Sequence, residues 1–143
     1  MFGAARVAQT VTGVLALIAA GVACSGQGPA RQTIAIRYSH FTVGTVTARV
    51  GVPITMTLRN DDPIEHEWIV GTEAVHERHR TGTEAYHGDI PTEVTIPAFS
   101  ERTTTVVFHE AGDFKYICHL PGHEQYGMVG VVHVTGRSVR VGS

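Results

Sequence analysis

The first 60 residues contain no Asp or Glu. All 13 acidic residues of this 143-residue chain lie between Asp61 and Glu124, where the only basic side chains are Arg78, Arg80, Arg102 and Lys115. A nucleic-acid partner is disfavoured, because phosphate binding needs a basic patch. The acidic stretch reads either as a solvated surface or as a face that steers a basic partner. No Ser-His-Asp order, phosphate loop or dinucleotide fingerprint occurs. Nothing points to hydrolysis, and no enzymatic activity is expected. No apolar run reaches the roughly 20 residues a bilayer-spanning helix needs. Cysteine is scarce as well, with two copies, and methionine has three.

What is present begins with a targeting pattern. Arg6 precedes an apolar run over 11–23, which ends Gly21-Val22-Ala23-Cys24-Ser25-Gly26. A short basic start, a brief apolar core and small residues at its end describe a signal peptide. The ending is similar to a bacterial lipobox, with Gly21 where Leu is usual. The expectation is an exported chain: 1–23 a signal segment, Cys24 lipidated as a membrane tether, 24–32 a linker, 33–136 one domain and 137–143 a tail. Free secretion and an uncleaved anchor are the alternatives. With Cys24 lipidated, Cys118 is left as a single thiol in an oxidising compartment, which flags a reactive or metal-bound sulfur. A disulfide from Cys24 to Cys118 is the structural alternative.

The body of the chain alternates apolar and polar residues in short β-branched runs: 33–38, 42–50, 53–60, 66–70, 93–96, 103–108, 114–118 and 129–135. Each is bounded by Gly, Pro, Asn or Asp. Period-two runs with frequent turn signals predict an all-β sandwich or barrel. Residues 71–91 break the rhythm and read as an excursion, with a turn or two of helix around Glu73 to Arg80.

The chemistry gathers near the C-terminus, in Cys118-His119-Leu120-Pro121-Gly122-His123-Glu124-Gln125-Tyr126-Gly127-Met128. Cys, His and Met recur with four residues between each pair. A type 1 copper site takes two imidazoles and one thiolate in a plane, with a weak axial Met. The fourth donor must come from elsewhere, and His66, at a strand start after Asp61-Asp62-Pro63, is the candidate. A thioether is a poor zinc ligand, and structural zinc favours closed sets of Cys and His. Copper, one ion, is therefore expected on His66, Cys118, His123 and Met128.

At these residues the chain resembles the cupredoxins, in particular the sulfocyanin-like and plastocyanin/azurin-like single-domain members. The resemblance covers about 33–135. It includes Val50-Gly51-Val52-Pro53, Asn60, the His66 hinge and Ala111-Gly112-Asp113-Phe114-Lys115-Tyr116 before the Cys. It implies a Greek-key β-sandwich with copper at one end, His66, Cys118 and His123 equatorial and Met128 axial. One departure is Glu67, where many members have Asn or Ser; an ionised carboxylate cannot donate a hydrogen bond to the thiolate. Glu67 either faces away along its strand or approaches the metal.

The spacing is also similar to the copper segment of multicopper oxidases. Those carry His on both sides of the Cys and several His-x-His pairs. Here Ile117 precedes Cys118, and no His-x-His occurs. His119 is then either an exposed residue or part of an electron path. Two functions remain: one-electron shuttling with a redox partner that docks near His123, where Leu120, Pro121 and Met128 could form an apolar patch, and copper handling in the cell envelope. The second draws on His76, His79, His87, His109 and His119; His76 and His79, three apart, could share a helix face and a second metal.

Overall fold

The computed structural model describes residues 30–83 and 90–137. The signal segment, Cys24 and His87 lie outside the described residues. No helix among the described residues is long and apolar enough to cross a membrane.

Among the described residues nine strands and one helix follow in order: β1 Ala30–Arg37, β2 His40–Phe41, β3 Thr45–Arg49, β4 Ile54–Asn60, β5 His66–Gly71, α1 Glu73–Thr81, β6 Glu93–Ile96, β7 Glu101–Val106, β8 Gly112–Ile117 and β9 Val129–Thr135. They form two sheets, ordered β2-β1-β4-β7 and β3-β9-β8-β5-β6. The expected all-β sandwich is what forms. β1 starts at Ala30, so it takes in three residues whose composition suggested a linker. It pairs in parallel with β4, Ala30 opposite Ile54, and that partner satisfies its backbone.

The alternation read in the sequence is the burial pattern. In β4, Ile54, Met56, Leu58 and Asn60 point inward, and the residues between them are half-buried. Burying one face of each sheet against the other removes apolar area from water at about 25 cal/mol per Å². Trp68 and Tyr116 sit fully buried between the sheets, ring centroids 6.1 Å apart. Tyr116 needs space on β9: it stands opposite Gly130, where a Cβ would come within 2.1 Å of its ring. Its hydroxyl donates to the Val43 carbonyl, which satisfies the buried group.

Two features position the functional end. Between β4 and β5, Asn60 is buried, and its Nδ2 lies within hydrogen-bonding reach of the Ile64, Ile96 and Pro97 carbonyls. Its Oδ1 accepts from Asp62 N–H at 2.9 Å. The turn before His66 is thereby fixed. Between β8 and β9, the loop closes on itself through Met128 N–H to His123 O at 2.9 Å and Cys118 N–H to Met128 O at 3.2 Å. Gly127, at φ 91°, makes that closure in a conformation a side chain would disfavour.

Candidate metal centre

β5 delivers His66 and the end of β8 delivers Cys118, while the β8–β9 loop folds His123 back over the thiol. Among the described residues this is the one group of three such donors whose ligand atoms all lie within 4.8 Å of one another. His66 and Cys118 are fully buried, and His123 is half-buried. The two imidazole rings are 5.0 Å apart between centroids. Cys118 Sγ lies 3.3 Å from His123 Nδ1. Met128 is fully buried, and its backbone bonds to both Cys118 and His123 place it beside them.

Each group is oriented from behind. His66 Nε2 is 3.0 Å from Asp62 Oδ2. The carboxylate can only accept, so Nε2 carries the hydrogen and the Nδ1 lone pair is left for the site. His66 Nδ1 is buried and has no hydrogen-bond partner among the described residues. An orphaned imidazole nitrogen beside a thiol is costly without a ligand and suits a metal. Asp62 is itself held, accepting from Tyr38 N–H at 2.7 Å and Ser39 N–H at 2.8 Å. Tyr38 and Ser39 both adopt left-handed backbone, φ 54° and 55°, to aim those donors. Burial alone would raise the Asp62 carboxyl, but the Ser39 and Tyr38 N–H groups and then His66 hold it below the ordinary carboxylate value. Burial also holds His66 below the usual imidazole value, against the pull of Asp62.

Glu67 N–H donates to Cys118 Sγ at 3.4 Å. The thiolate's donor is thus the backbone of β5, so the residue type at 67 does not decide whether that bond exists. Burial pushes the Cys118 thiol up, opposed by the Glu67 and Leu120 N–H groups.

Two expectations change. His119 is not exposed: its side chain is 4% accessible and covered by α1. Met128 is fully buried and contributes nothing to a surface patch. In the loop that carries His123 the exposed residues are Pro121, Gln125, Tyr126 and Gly127, with Tyr126 72% accessible and its ring over Gly122. Asp62 went unnoticed in the sequence reading. The available signal was an acid four residues before the expected ligand, but its role depends on a turn and on backbone from β1.

Two sheets, a buried Cys-His-His cluster at one end and a Met in the same loop define a blue-copper type of domain. The chain belongs to the copper-binding proteins of the plastocyanin/azurin family, whose model matches residues 33–135. It is 35% identical over 98 residues to the copper-resistant cuproprotein CopI of Rubrivivax gelatinosus, an alignment covering 66% of this chain and 59% of that one. The chain therefore spans about three-fifths of that relative's length. In fold it is similar to the auracyanin of Roseiflexus castenholzii (TM-score 0.64, 21% identity, covering 78% of this chain and all of that one). It is also similar to auracyanin A, a "blue" copper protein of Chloroflexus aurantiacus (TM-score 0.62, 23% identity, covering 76% and 100%). The protein is a copper-binding cupredoxin.

Proposed function

We propose that this cupredoxin carries single electrons through one type 1 copper, which His66, Cys118, His123 and Met128 would hold. The observation that carries the reading is the donor geometry: three ligand atoms within 4.8 Å of one another, two of them on fully buried side chains. Copper held there would supply a Cu(II)/Cu(I) couple; imidazole and thiolate together suit both states. The chain's own residues do the rest. Asp62 fixes the His66 tautomer, Glu67 N–H supports the sulfur, and the backbone bonds of Met128 keep the loop closed. Ligands that cannot move keep the geometric change on electron transfer small. His123, half-buried beside Pro121 and Tyr126, is the edge from which an electron would pass to a partner. The acidic residues between Asp61 and Glu124 suit a partner with a basic face. Export and a lipid tether at Cys24 belong to the same reading, and no catalytic role is proposed.

Copper handling is the second reading, and the likeness to the copper-resistant cuproprotein CopI favours it. Voltammetry of the copper-loaded chain separates the two. Electron transfer predicts a reversible one-electron wave with copper retained through repeated cycles. Copper lost on reduction, or an irreversible wave, would leave handling as the function.

A further inference from the structure

The Cys118 centre uses two of the nine histidines. Three others, His76, His79 and His119, pack on one another beside it. Their side chains are buried almost completely: His76 is 0% exposed, and the side chains of His79 and His119 are 2% and 4%. The ring centroids of His76 and His119 are 5.2 Å apart, and those of His79 and His119 are 5.3 Å apart. That spacing is close to the 5.0 Å between His66 and His123. The fully buried residues of α1 are these two histidines and no aliphatic side chain. Filling a helix–sheet contact with imidazoles is expensive unless their nitrogens have work to do.

The hydrogen bonds say which nitrogens are available. His76 Nε2 is 3.3 Å from Lys115 O. A carbonyl only accepts, so Nε2 carries the hydrogen and Nδ1 keeps a lone pair. His79 Nδ1 is 2.9 Å from Val75 O and carries a hydrogen, so in the neutral ring Nε2 is the nitrogen left to bind. That nitrogen lies 3.7 Å from Glu93 Oε2, so a carboxylate stands beside the position where it would meet a cation. His119 Nε2 is 3.0 Å from His76 Nδ1, and its Nδ1 is 3.7 Å from Glu124 Oε2. If the His119 hydrogen moves to Nδ1, it points at Glu124, and Nε2 joins His76 Nδ1 as a second donor. Each ring then has its far nitrogen backed by an oxygen, which is how metal-binding imidazoles are held. Two nitrogens 3.0 Å apart, each about 2.0 Å from one ion, subtend roughly 97° at it. The His79 nitrogen is not yet within reach, since the Cys118 group alone has three such donors mutually within 4.8 Å among the described residues. An ion would have to draw it inward. Arg80 is the nearby opposing charge, and it is engaged by Glu124 at 2.6 Å and Glu73 at 2.5 Å.

We infer that His76, His79 and His119, with Glu93 beside the His79 donor nitrogen and Glu124 behind His119, form a second site for an imidazole-preferring divalent transition-metal ion, joined to the type 1 centre by the Cys118–His119 peptide bond. The inference goes beyond the electron-transfer reading and stands on other residues.

The test is a Cu(II) titration of the full chain. The first equivalent is expected to saturate the thiolate-to-copper band. The second should give an electron paramagnetic resonance signal split by imidazole nitrogens and add no intense visible absorption. His76→Gln and His79→Gln should each weaken the second equivalent at least about tenfold while sparing the visible band. His109→Gln, at an exposed position, should change neither. If His76→Gln also loses the visible band, His79→Gln decides. Repeating the titration on Cys118→Ala, with and without His79→Gln, keeps this site readable if the type 1 assignment fails: binding that His79→Gln weakens belongs here, and binding it spares belongs to His66 and His123. No second equivalent, or one that binds His79→Gln as tightly as the parent, overturns the inference.

Discussion

Cys118 and His119 are consecutive, yet they enter two different histidine clusters. In the first, two imidazoles tilted 43° flank a buried sulfur, and one of them has a nitrogen with no partner among the described residues. In the second, two imidazoles tilted 41° at nearly the same spacing bond to each other, and a third stacks on His119. Ring spacing alone does not make a copper centre. The first cluster is prepared because Asp62 occupies the outer nitrogen of His66 and leaves the inner one unused. In the second a hydrogen lies between His76 and His119, so a ligand must displace it. Burial acts on both alike, lowering His66, His76 and His119, the last to about 4. The sulfur and the carboxylate make the difference.

The comparison breaks most directly at the sulfur. Cys118→Ala is expected to abolish any intense visible absorption while circular dichroism reports an intact β-sandwich. A retained band would place the chromophore elsewhere. Next comes the group that prepares His66. Asp62→Asn should weaken copper at the first centre by about 10–100-fold, because losing a carboxylate behind a ligating imidazole costs that much. Binding at the His76 cluster should not change, and equal losses at both would mean Asp62 acts through the fold. The turn before His66 keeps Asn60 in either variant, so the fold should survive.

A smaller effect concerns the second cluster without metal. His76 and His119 titrate in the folded chain below the ordinary imidazole value of 6.5, chiefly because of burial. Between the folded and the unfolded value the unfolded chain binds more protons, so stability rises with pH across that window. Thermal melts of the metal-free chain should be flat in pH above about 6.5 and fall as pH drops towards 4. His76→Gln should flatten part of that slope; an unchanged slope would contradict the assignment of the protons to this cluster. Smallest is Met128→Leu, which should keep copper bound and raise the reduction potential, since a donor that stabilises Cu(II) is lost. An unchanged potential would remove Met128 from the copper's donors.

Much of the fold was legible because alternation is a local property. The run 53–60 reads as a strand with Ile54, Met56 and Leu58 on one face, and those residues are the buried ones in β4. The three-donor grouping was legible for a similar reason. Cys118 and His123 share one short loop, and His66 starts a strand after a strong turn signal. What escaped depends on contacts between distant segments. His119 follows a buried Cys at the end of a strand, where alternation sends it outward; α1 then covers that side, so the outward direction is not solvent. Asp62 acts only because the β1–β2 turn brings the Tyr38 and Ser39 N–H groups against it. Glu67 looked like a lost hydrogen bond because side chains were being compared, and the donor is its backbone.

The central claim is that one copper sits between His66, Cys118 and His123. X-ray absorption at the copper edge, on the full chain loaded with one equivalent, tests it most directly. The account predicts one short thiolate sulfur and two imidazole nitrogens in the first shell, unchanged in His79→Gln. A first shell of nitrogen and oxygen without a short sulfur would contradict it.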